Sequence, residues 1–491
     1  MSDYIDQKER EYQNEIVKLF CDELKYDYLG KLQYAKSKTT LDNGEKNSPI
    51  IDSEVRRFLS SPSNHYTDFQ IEEALRILKE ETRLPDKKRG ILSDTSNSVY
   101  ERLITHIAIQ PDAEHKHENV TLFDFDNPFT NHFAIAEEVS YIDPLTGKHS
   151  RPDIVVYVNG IALCVIELKR STVSLEEGIK QSLSNELDLI PSFFTTTQFT
   201  VAASDKNGFK YATILTPQKF WCHWKRDDHA VGVKLTDKES FREFFRKDVF
   251  FDLFRYGVIN DGGRKKVMRP HQFHALRAAM PRLKEKTDGV IWHSQGSGKS
   301  LTMVWLAKYI RRNFNNPRVL VITDRTELDV QINNTFLGAS ESIYQAKSAD
   351  DLLDALQMAN RVKDNSHKSW LVCSLIHKFG RHINPETGKE EVGDDNANIP
   401  LEKYLEELQA LLKAKYPNGF KAKGEHKFVF VDECHRTQGG RLHEAMRAIM
   451  GSDVMFIGFT GTPLLHEEKK KGGYAQYTNC LLYTSDAADD K

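Results

Sequence analysis

The sequence predicts an α/β protein of two domains, the second built on a doubly wound parallel sheet. The length of 491 residues exceeds what one hydrophobic core supports. Short apolar runs alternate with helical patterns in the second half, and these runs end in polar groups, as parallel strands of such sheets do. We predict a first domain over residues 1–230, a linker over 231–262, a second domain over 263–475 and a tail over 476–491 that fits neither strand nor helix.

Hydrophobic periodicity indicates the elements of the first domain. Helices are expected over residues 8–27, 52–60, 68–82 and 175–187, with another beginning near residue 97. Strands are expected over residues 120–123, 133–136, 199–203 and 211–215, with a hairpin over 152–170.

Composition restricts the class of protein. The net charge of −3 is close to neutral, so a nucleic-acid partner would have to meet local basic patches. The six cysteines form no C-x-x-C pair, which argues against a zinc site or a disulfide framework and favours a reducing cytoplasm. No apolar run approaches membrane-spanning length, and the N-terminus is too polar for a signal peptide. We expect a cytoplasmic protein without a membrane partner.

The stretch 290–300 predicts a phosphate-binding loop. An apolar strand is followed by Gly296, Ser297 and Gly298, and Lys299 and Ser300 then begin a helix. Glycines let backbone N–H groups close around phosphate oxygens, Lys299 would reach the β and γ phosphates, and Ser300 would hold Mg²⁺. His293 replaces the first glycine of the strict pattern, and the alternative interpretation is an accidental Gly-Ser turn. We expect ATP and Mg²⁺ as cofactors.

A carboxylate pair follows a later strand of the same domain. The run Phe428–Val431 precedes Asp432 and Glu433. Beside a phosphate loop, Asp432 would bind Mg²⁺ through water and Glu433 would orient the water that attacks the γ-phosphate. The alternative is a solvated surface pair.

The hairpin around Asn159-Gly160 carries a second group of charges, namely Asp153, Glu167 and Lys169. A two-residue turn in regular register sets Asp153 opposite Ile166 and places Glu167 on the other face. A three-residue loop or a bulge sets Asp153 opposite Glu167, with Cβ atoms about 5 Å apart. Shared metal binding therefore predicts one of the latter two arrangements.

These residue types suit phosphodiester hydrolysis. Asp153 and Glu167 would hold Mg²⁺, a cation that prefers oxygen ligands, and Lys169 would position the attacking water or stabilise the developing charge. The alternative is an edge hairpin with a solvated Glu–Lys pair.

The hairpin resembles the PD-(D/E)xK nuclease superfamily, in which Pro152-Asp153 and Glu167-Leu168-Lys169 match the two halves of the motif. Some members add Gln-x-x-x-Tyr on the next helix. Here Gln181 matches, whereas Asn185 stands at the tyrosine position. The resemblance also implies a glutamate from the first helix; Glu11 is a candidate, with a solvated helix face as its alternative.

The second domain resembles the first motor lobe of superfamily 2 helicases and translocases. Lys299 matches motif I, Asp324-Arg325 motif Ia, Asp432-Glu433-Cys434-His435 motif II and Thr460-Gly461-Thr462 motif III. Cys434 replaces the usual alanine, a small-for-small change. Gln272 lies in a segment that resembles the adenine-binding segment of these motor proteins.

Together the two halves resemble the restriction (R) subunit of type I restriction–modification enzymes. The resemblance implies a type I deoxyribonuclease: ATP-dependent translocation of double-stranded DNA, Mg²⁺-dependent cleavage, and assembly with modification (M) and specificity (S) subunits. It also implies a second motor lobe that residues 1–491 do not include, and the tail is expected to be a sequence scar. The alternatives are a superfamily 2 translocase whose N-terminal domain grips DNA without cleaving it, and a non-enzymatic nucleotide-binding scaffold.

Overall fold

The computed structural model describes residues 2–32, 48–85, 92–110, 117–226, 235–323, 326–346, 349–357, 370–375, 382–383, 390–391, 410, 412–417, 420, 422–434, 446–447, 449–461 and 481–485. The described residues up to Pro270 form one compact unit, and those from His271 onward form another. The helices in these ranges are all too short or too polar to cross a membrane.

The N-terminal unit combines helices with a mixed sheet. Its helices are α1 (Ser2–Lys18), α2 (Asp52–Leu59), α3 (Asp68–Glu81), α4 (Leu92–Ile104), α5 (Leu175–Ser184), α6 (Asp237–Phe244) and α7 (Lys247–Tyr256). Its strands are β1 (Asp27–Lys31), β2 (Ile107–Ile109), β3 (Glu118–Val120), β4 (Phe133–Glu137), β5 (Tyr141–Ile142), β6 (His149–Ser150), β7 (Ile154–Val158), β8 (Ile161–Lys169), β9 (Phe199–Ser204), β10 (Gly208–Ala212), β11 (Cys222–His223), β12 (Val258–Asp261) and β13 (Arg264–Val267).

The main sheet of this unit has the order β1-β4-β7-β8-β9-β10-β11. Strand β8 pairs antiparallel with β7 and parallel with β9, so the predicted hairpin lies at the centre of the sheet. Every residue of β7 is buried, as are all residues of β8 before Lys169. Both faces are covered, which explains why these strands read as continuous apolar runs. Helices α1 and α5 contact β8 and bring polar side chains to its carboxyl end.

The prediction of a linker over 231–262 is wrong for the residues that the structure describes. Helices α6 and α7 and strand β12 belong to the N-terminal unit, as does β13 within 263–270, where we expected the second domain to have begun. The aromatic residues of α6 and α7 explain the difference, because they recur at helical spacing. Phe241, Phe244 and Phe250 are fully buried and contact rings of the unit, including Phe199 and Phe209.

The C-terminal unit is built on a parallel sheet. Its helices are α8 (Pro270–Glu285, whose first residue falls in the other unit), α9 (Lys299–Asn313), α10 (Thr326–Gly338) and α11 (Ala349–Gln357). Its strands are β14 (Gly289–His293), β15 (Pro317–Thr323), β16 (Tyr344–Gln345), β17 (Leu371–Leu375), β18 (His382–Ile383), β19 (Glu390–Glu391), β20 (His426–Val431), β21 (Met455–Thr460) and β22 (Leu481–Ser485).

The strand order is β16-β17-β15-β20-β21-β14-β22, and the pairs are parallel throughout the described strands. This confirms the predicted parallel α/β sheet. The short strands β18 and β19 form a separate antiparallel pair.

The tail differs from expectation at residues 481–485. These residues form β22, which extends the sheet beside β14. The run Leu-Leu-Tyr-Thr-Ser contains residues compatible with a strand, and the outer edge of β14 offers the backbone groups that it pairs with. The remaining residues of 476–491 lie outside the part of the chain that the structure describes.

Candidate functional site

A β-bulge aligns the two carboxylates of the central hairpin. Asn159 and Gly160 form a two-residue turn with φ of 50° and 79°, and Val158 pairs with Ile161. Tyr157 then pairs with Ala162 but Val156 pairs with Cys164, so Leu163 is the extra residue of a bulge. Beyond the bulge Ile154 pairs with Ile166, the last pair of this ladder. The same register carried one residue further would set Asp153 opposite Glu167. Of the arrangements compatible with shared metal binding, the structure contains the bulge.

Each carboxylate has one oxygen held by a hydrogen bond. The Leu168 backbone N–H donates to Asp153 Oδ2 at 2.7 Å, and Asn185 Nδ2 donates to Glu167 Oε1 at 3.0 Å. Glu167 is fully buried, and its Oε2 atom receives no hydrogen bond from the described residues. An acceptor oxygen in this condition calls for a cation or a proton.

Burial makes ionisation of both Asp153 and Glu167 unfavourable. Burial and then the charge of Asp153 raise the pKa of Glu167 well above its usual range. Burial also raises the pKa of Asp153, while Lys169 acts in the opposite direction. A divalent cation between the carboxylates would favour the ionised form of both.

The residues present fit Mg²⁺ bound largely through water. Within the described ranges, no group of three or more His, Cys, Asp or Glu side chains could hold a metal ion. Mg²⁺ is commonly bound by one or two carboxylates and keeps several waters. Asp153 and Glu167 would be its side-chain ligands.

Lys169 lies beside the pair and is matched by an acid from α1. Glu9 Oε1 is 3.6 Å from Lys169 Nζ, and Gln13, one helical turn after Glu9, donates to the backbone oxygen of Asp153 at 3.4 Å. The candidate Glu11 lies on another face of α1, where it accepts a hydrogen bond from Gln7 at the surface. Glu9 and Gln13 are four residues apart and share a helix face, whereas Glu11 is two residues from each and does not. The acid of α1 that reaches the site is therefore Glu9.

Helix α5 carries Gln181, and the π-helical turn that directly follows it, Asn185–Leu189, begins with the residue at the tyrosine position of the Gln-x-x-x-Tyr motif. Gln181 lines an open cleft of about 540 Å³, together with Glu9, Lys169 and Arg170. Asn185, which we did not carry over because it replaces the tyrosine, makes the hydrogen bond to Glu167. The sequence feature that could have identified Asn185 as a site residue is its spacing of four residues from Gln181.

The phosphate loop has the predicted strand–turn–helix context. Gly296 and Gly298 have φ of 85° and 89° between β14 and α9, a conformation that favours glycine. His293 is fully buried and its ring contacts that of His271 edge to face, while His271 Nε2 lies 2.9 Å from the backbone oxygen of Ser297. Burial, followed by the charges of His271 and Lys299, lowers the pKa of His293 to about 3, so this ring is neutral.

The acidic pair after β20 meets the lysine of the loop. Lys299 Nζ forms an ion pair with Glu433 Oε1 and lies 3.7 Å from Asp432 Oδ1. Glu433 has φ of 45°, and its backbone N–H bonds Asp432 Oδ1 at 3.0 Å. A positive φ at a non-glycine residue is strained and turns Glu433 toward the loop.

The structure also describes most of the other residues predicted to bind nucleotide. Gln272 is buried and donates to the Gly298 backbone oxygen at 3.1 Å, while Ser297 Oγ donates to the Ser294 oxygen at 2.7 Å. Ser300 is the second residue of α9 and is half-buried. The motif residues 324–325, 435 and 462 lie outside the described residues.

Cys434 has a packing role beside the acidic pair. It is buried, and a Cβ atom added to Gly458 would lie 2.8 Å from its Sγ atom. Burial raises the pKa of this thiol to about 12, so it remains protonated at neutral pH.

Fold and sites together define a two-part protein: a mixed-sheet domain with a carboxylate–lysine hairpin, then a parallel-sheet domain with a phosphate loop and acidic pair. Residues 6–220 match the family model of the type I restriction enzyme R protein N terminus, and residues 271–491 match that of the SWI2/SNF2 ATPase. The N-terminal part of the chain is therefore similar to the type I restriction enzyme R protein N terminus, and the C-terminal part is similar to the SWI2/SNF2 ATPase.

The curated relatives of this chain include endonuclease subunits of type I restriction enzymes. A putative type I restriction enzyme MjaIXP endonuclease subunit of Methanocaldococcus jannaschii is 24% identical over 454 residues, which cover 84% of this chain and 39% of the relative. The type I restriction enzyme HindI endonuclease subunit of Haemophilus influenzae is 26% identical over 389 residues, covering 72% and 34% respectively. The chain thus spans well under half the length of these relatives.

Among solved structures, the Sulfolobus solfataricus SWI2/SNF2 ATPase core in complex with dsDNA matches 44% of this chain and 36% of its own, at 13% identity and a TM-score of 0.27. A nuclease-deletion mutant of the type ISP restriction–modification enzyme LlaGI matches 45% of this chain and 20% of its own, at 14% identity and a TM-score of 0.29.

Proposed function

We propose that this chain provides the nuclease and first motor lobe of a type I restriction endonuclease R subunit, which cleaves double-stranded DNA in a Mg²⁺-dependent reaction coupled to ATP-dependent translocation. The observation that carries the proposal is the bulge at Leu163, whose register, extended one residue past Ile154, would align Asp153 with Glu167. Lys169 lies on the same strand as Glu167. A bulge at this point re-aims side chains that a regular hairpin would place on opposite faces.

In the proposed nuclease, Asp153 and Glu167 hold the metal ion and Lys169 stabilises negative charge on the phosphate. Bound Mg²⁺ would polarise the phosphate and lower the pKa of the attacking water. Glu9 keeps the Lys169 ammonium group near the carboxylates. Gln181 and Arg170 line the adjoining cleft and would contact the DNA backbone, since guanidinium and amide groups are common phosphate partners.

In the proposed ATPase, the loop 296–300 holds the phosphates and Asp432 holds Mg²⁺ through water. Glu433 orients the attacking water, and Gln272 is the candidate for adenine recognition. Lys299 contacts both acids in the absence of nucleotide. On nucleotide binding, its ammonium group would leave Glu433 and pair with the phosphates instead. This exchange leaves the Glu433 carboxylate available to the water.

The partners proposed for the chain are double-stranded DNA and the M and S subunits. The names of the relatives describe an endonuclease subunit of a multi-subunit enzyme, and a restriction enzyme that acts on DNA in the cell is proposed to be cytoplasmic. The alternative N-terminal domain that grips DNA without cutting requires Asp153, Glu167 and Lys169 to diverge. Their convergence favours a nuclease.

The decisive experiment measures Mg²⁺-dependent nicking of plasmid DNA and binding of a fluorescent ATP analogue by the purified chain. We expect Asp153→Ala to abolish nicking and Lys299→Ala to abolish nucleotide binding. Glu11→Ala is the matched control, because this acid lies at the surface of α1. Nicking that survives Asp153→Ala, or Mn²⁺ binding unchanged by it, would overturn the nuclease assignment.

A further inference from the structure

Asn185 stands at the carboxyl end of α5, where a π-helical turn, Asn185–Leu189, begins. Its side chain is fully buried. Ser150 Oγ donates to Asn185 Oδ1 at 2.7 Å, and Asn185 Nδ2 donates to Glu167 Oε1 at 3.0 Å. The opposite orientation of the amide would place its oxygen against a carboxylate, so the two contacts together determine which way Asn185 points.

We propose that Asn185, held by Ser150, is a positioning residue that selects which oxygen of Glu167 faces the metal ion. The inference rests on the proposed nuclease function. Asn185 Nδ2 donates a hydrogen bond to Oε1 of Glu167, and the backbone N–H of Leu168 donates one to Oδ2 of Asp153. The oxygen of Glu167 left for a cation is then Oε2, which receives no hydrogen bond from the described residues.

The position of Ser150 gives this arrangement a further consequence. Ser150 ends β6 and lies three residues before Asp153, so one hydrogen-bonded chain connects the segment that carries Asp153 to the strand that carries Glu167. The two metal-binding segments are thus joined by the bulged hairpin and also by the contact through α5. Outer groups that orient metal ligands commonly affect metal affinity by about 10–100-fold.

This series of hydrogen bonds also gives Asn185 a role at the position where some nucleases have a tyrosine. The short amide reaches Glu167 from the residue at which the α-helix passes into the π-helical turn. The adjacent Glu186 is buried and accepts hydrogen bonds from the Leu215 backbone N–H and from Ser182 Oγ, and these contacts anchor the π-helical turn.

The test is Mn²⁺ binding to the full chain without nucleotide, measured from the electron paramagnetic resonance signal of free Mn²⁺. The component that Asp153→Ala removes is assigned to the hairpin. We expect Asn185→Ala to weaken this component about tenfold or more, as for other outer-shell groups. Ser150→Ala should weaken it less, and Ser150→Thr, which retains the hydroxyl, should restore it.

Asn131→Ala is the matched control. Asn131 is a buried amide of the same unit whose Nδ2 donates to the backbone oxygens of Asp124 and Pro128. It should lower the melting temperature without changing Mn²⁺ affinity. Mn²⁺ affinity unchanged in folded Asn185→Ala and Ser150→Ala would overturn the positioning role while leaving the nuclease intact. Absence of any component removed by Asp153→Ala would overturn the nuclease assignment and this inference together.

Discussion

Glu9 Oε1 lies 3.6 Å from Lys169 Nζ, and this contact ties the first helix to the end of the central strand that carries Glu167. The Lys169 side chain is 12% exposed and that of Glu9 is 32% exposed. Such a pair is shielded more than a typical surface ion pair, so its coupling should be measurable.

We predict a coupling free energy of about 0.5–1 kcal/mol between Glu9→Gln and Lys169→Met in a double-mutant cycle. The measurement is the urea dependence of hydrogen exchange in peptides from β7 and β8. The same cycle with Glu11→Gln should give no coupling, because Glu11 lies on another helix face. Equal coupling for the two acids would contradict the assignment of Glu9.

Replacement of Gly160 by alanine should destabilise the N-terminal unit more than replacement of Gly147. Both glycines have positive φ, 79° and 65° respectively, so both substitutions strain the backbone. A Cβ atom at Gly160 would also lie 2.6 Å from Glu54 Cβ and 2.7 Å from the Ile51 oxygen, whereas none of the surrounding atoms lies within 4 Å of one at Gly147. We expect an additional loss of about 1–3 kcal/mol in the unfolding free energy. Equal losses in urea titrations would mean that α2 can move away from the turn.

Replacement of Gly298 by alanine should destabilise the nucleotide-free C-terminal unit more than replacement of Gly296. The two glycines have nearly the same φ, but a Cβ atom at Gly298 would lie 2.7 Å from Gln272 Nε2, and one at Gly296 would have open space. Gln272 is buried, so its amide cannot simply swing into solvent. We expect a difference of about 1–2 kcal/mol in thermal unfolding, with Gln272→Ala recovering part of it. A lack of recovery would exclude the clash as the cause.

Stability of the N-terminal unit should increase with pH above about 7 because of Lys265. This lysine is buried and donates to Ser96 Oγ at 2.7 Å and to Gln198 Oε1 at 2.8 Å. Burial lowers its pKa to about 7, against a smaller opposing effect of Glu101. Between that pKa and the ordinary value of about 10.4, the unfolded chain binds a proton that the folded chain does not, so raising the pH favours folding.

The measurement is the urea midpoint of the N-terminal unit between pH 7 and pH 9 in the parent and in Lys265→Met. We expect the parent to gain up to about 1.4 kcal/mol per pH unit relative to the variant. Lys266→Met, at a residue that pairs with Asp261, is the matched control and should retain the slope of the parent. Parallel curves for the parent and Lys265→Met would show that Lys265 stays charged in the folded protein.

The motif residues were predictable because they stand at the ends of apolar runs. Lys299, Asp432 and Glu433 follow buried strands of one parallel sheet, so strand direction alone brings them to the same edge. Asp153 and Glu167 interrupt a hairpin whose other side chains are apolar, which made them visible as candidates. Glu9 was not distinguishable from Glu11, because the sequence of α1 does not say which of its polar faces meets β8.

The amino-acid sequence by itself determined the α/β class, the parallel sheet and the identity of the charged residues at the strand ends, because hydrophobic periodicity and turn residues act locally. Tertiary structure decided the rest. It placed the bulge at Leu163, although the Asn159-Gly160 turn alone favours a regular register, and it recruited Asn185 and Glu9 from helices that pack on β8. It also folded 237–267 into the N-terminal unit. Each of these outcomes depends on contacts between residues far apart in the chain, whose free energy no local pattern contains.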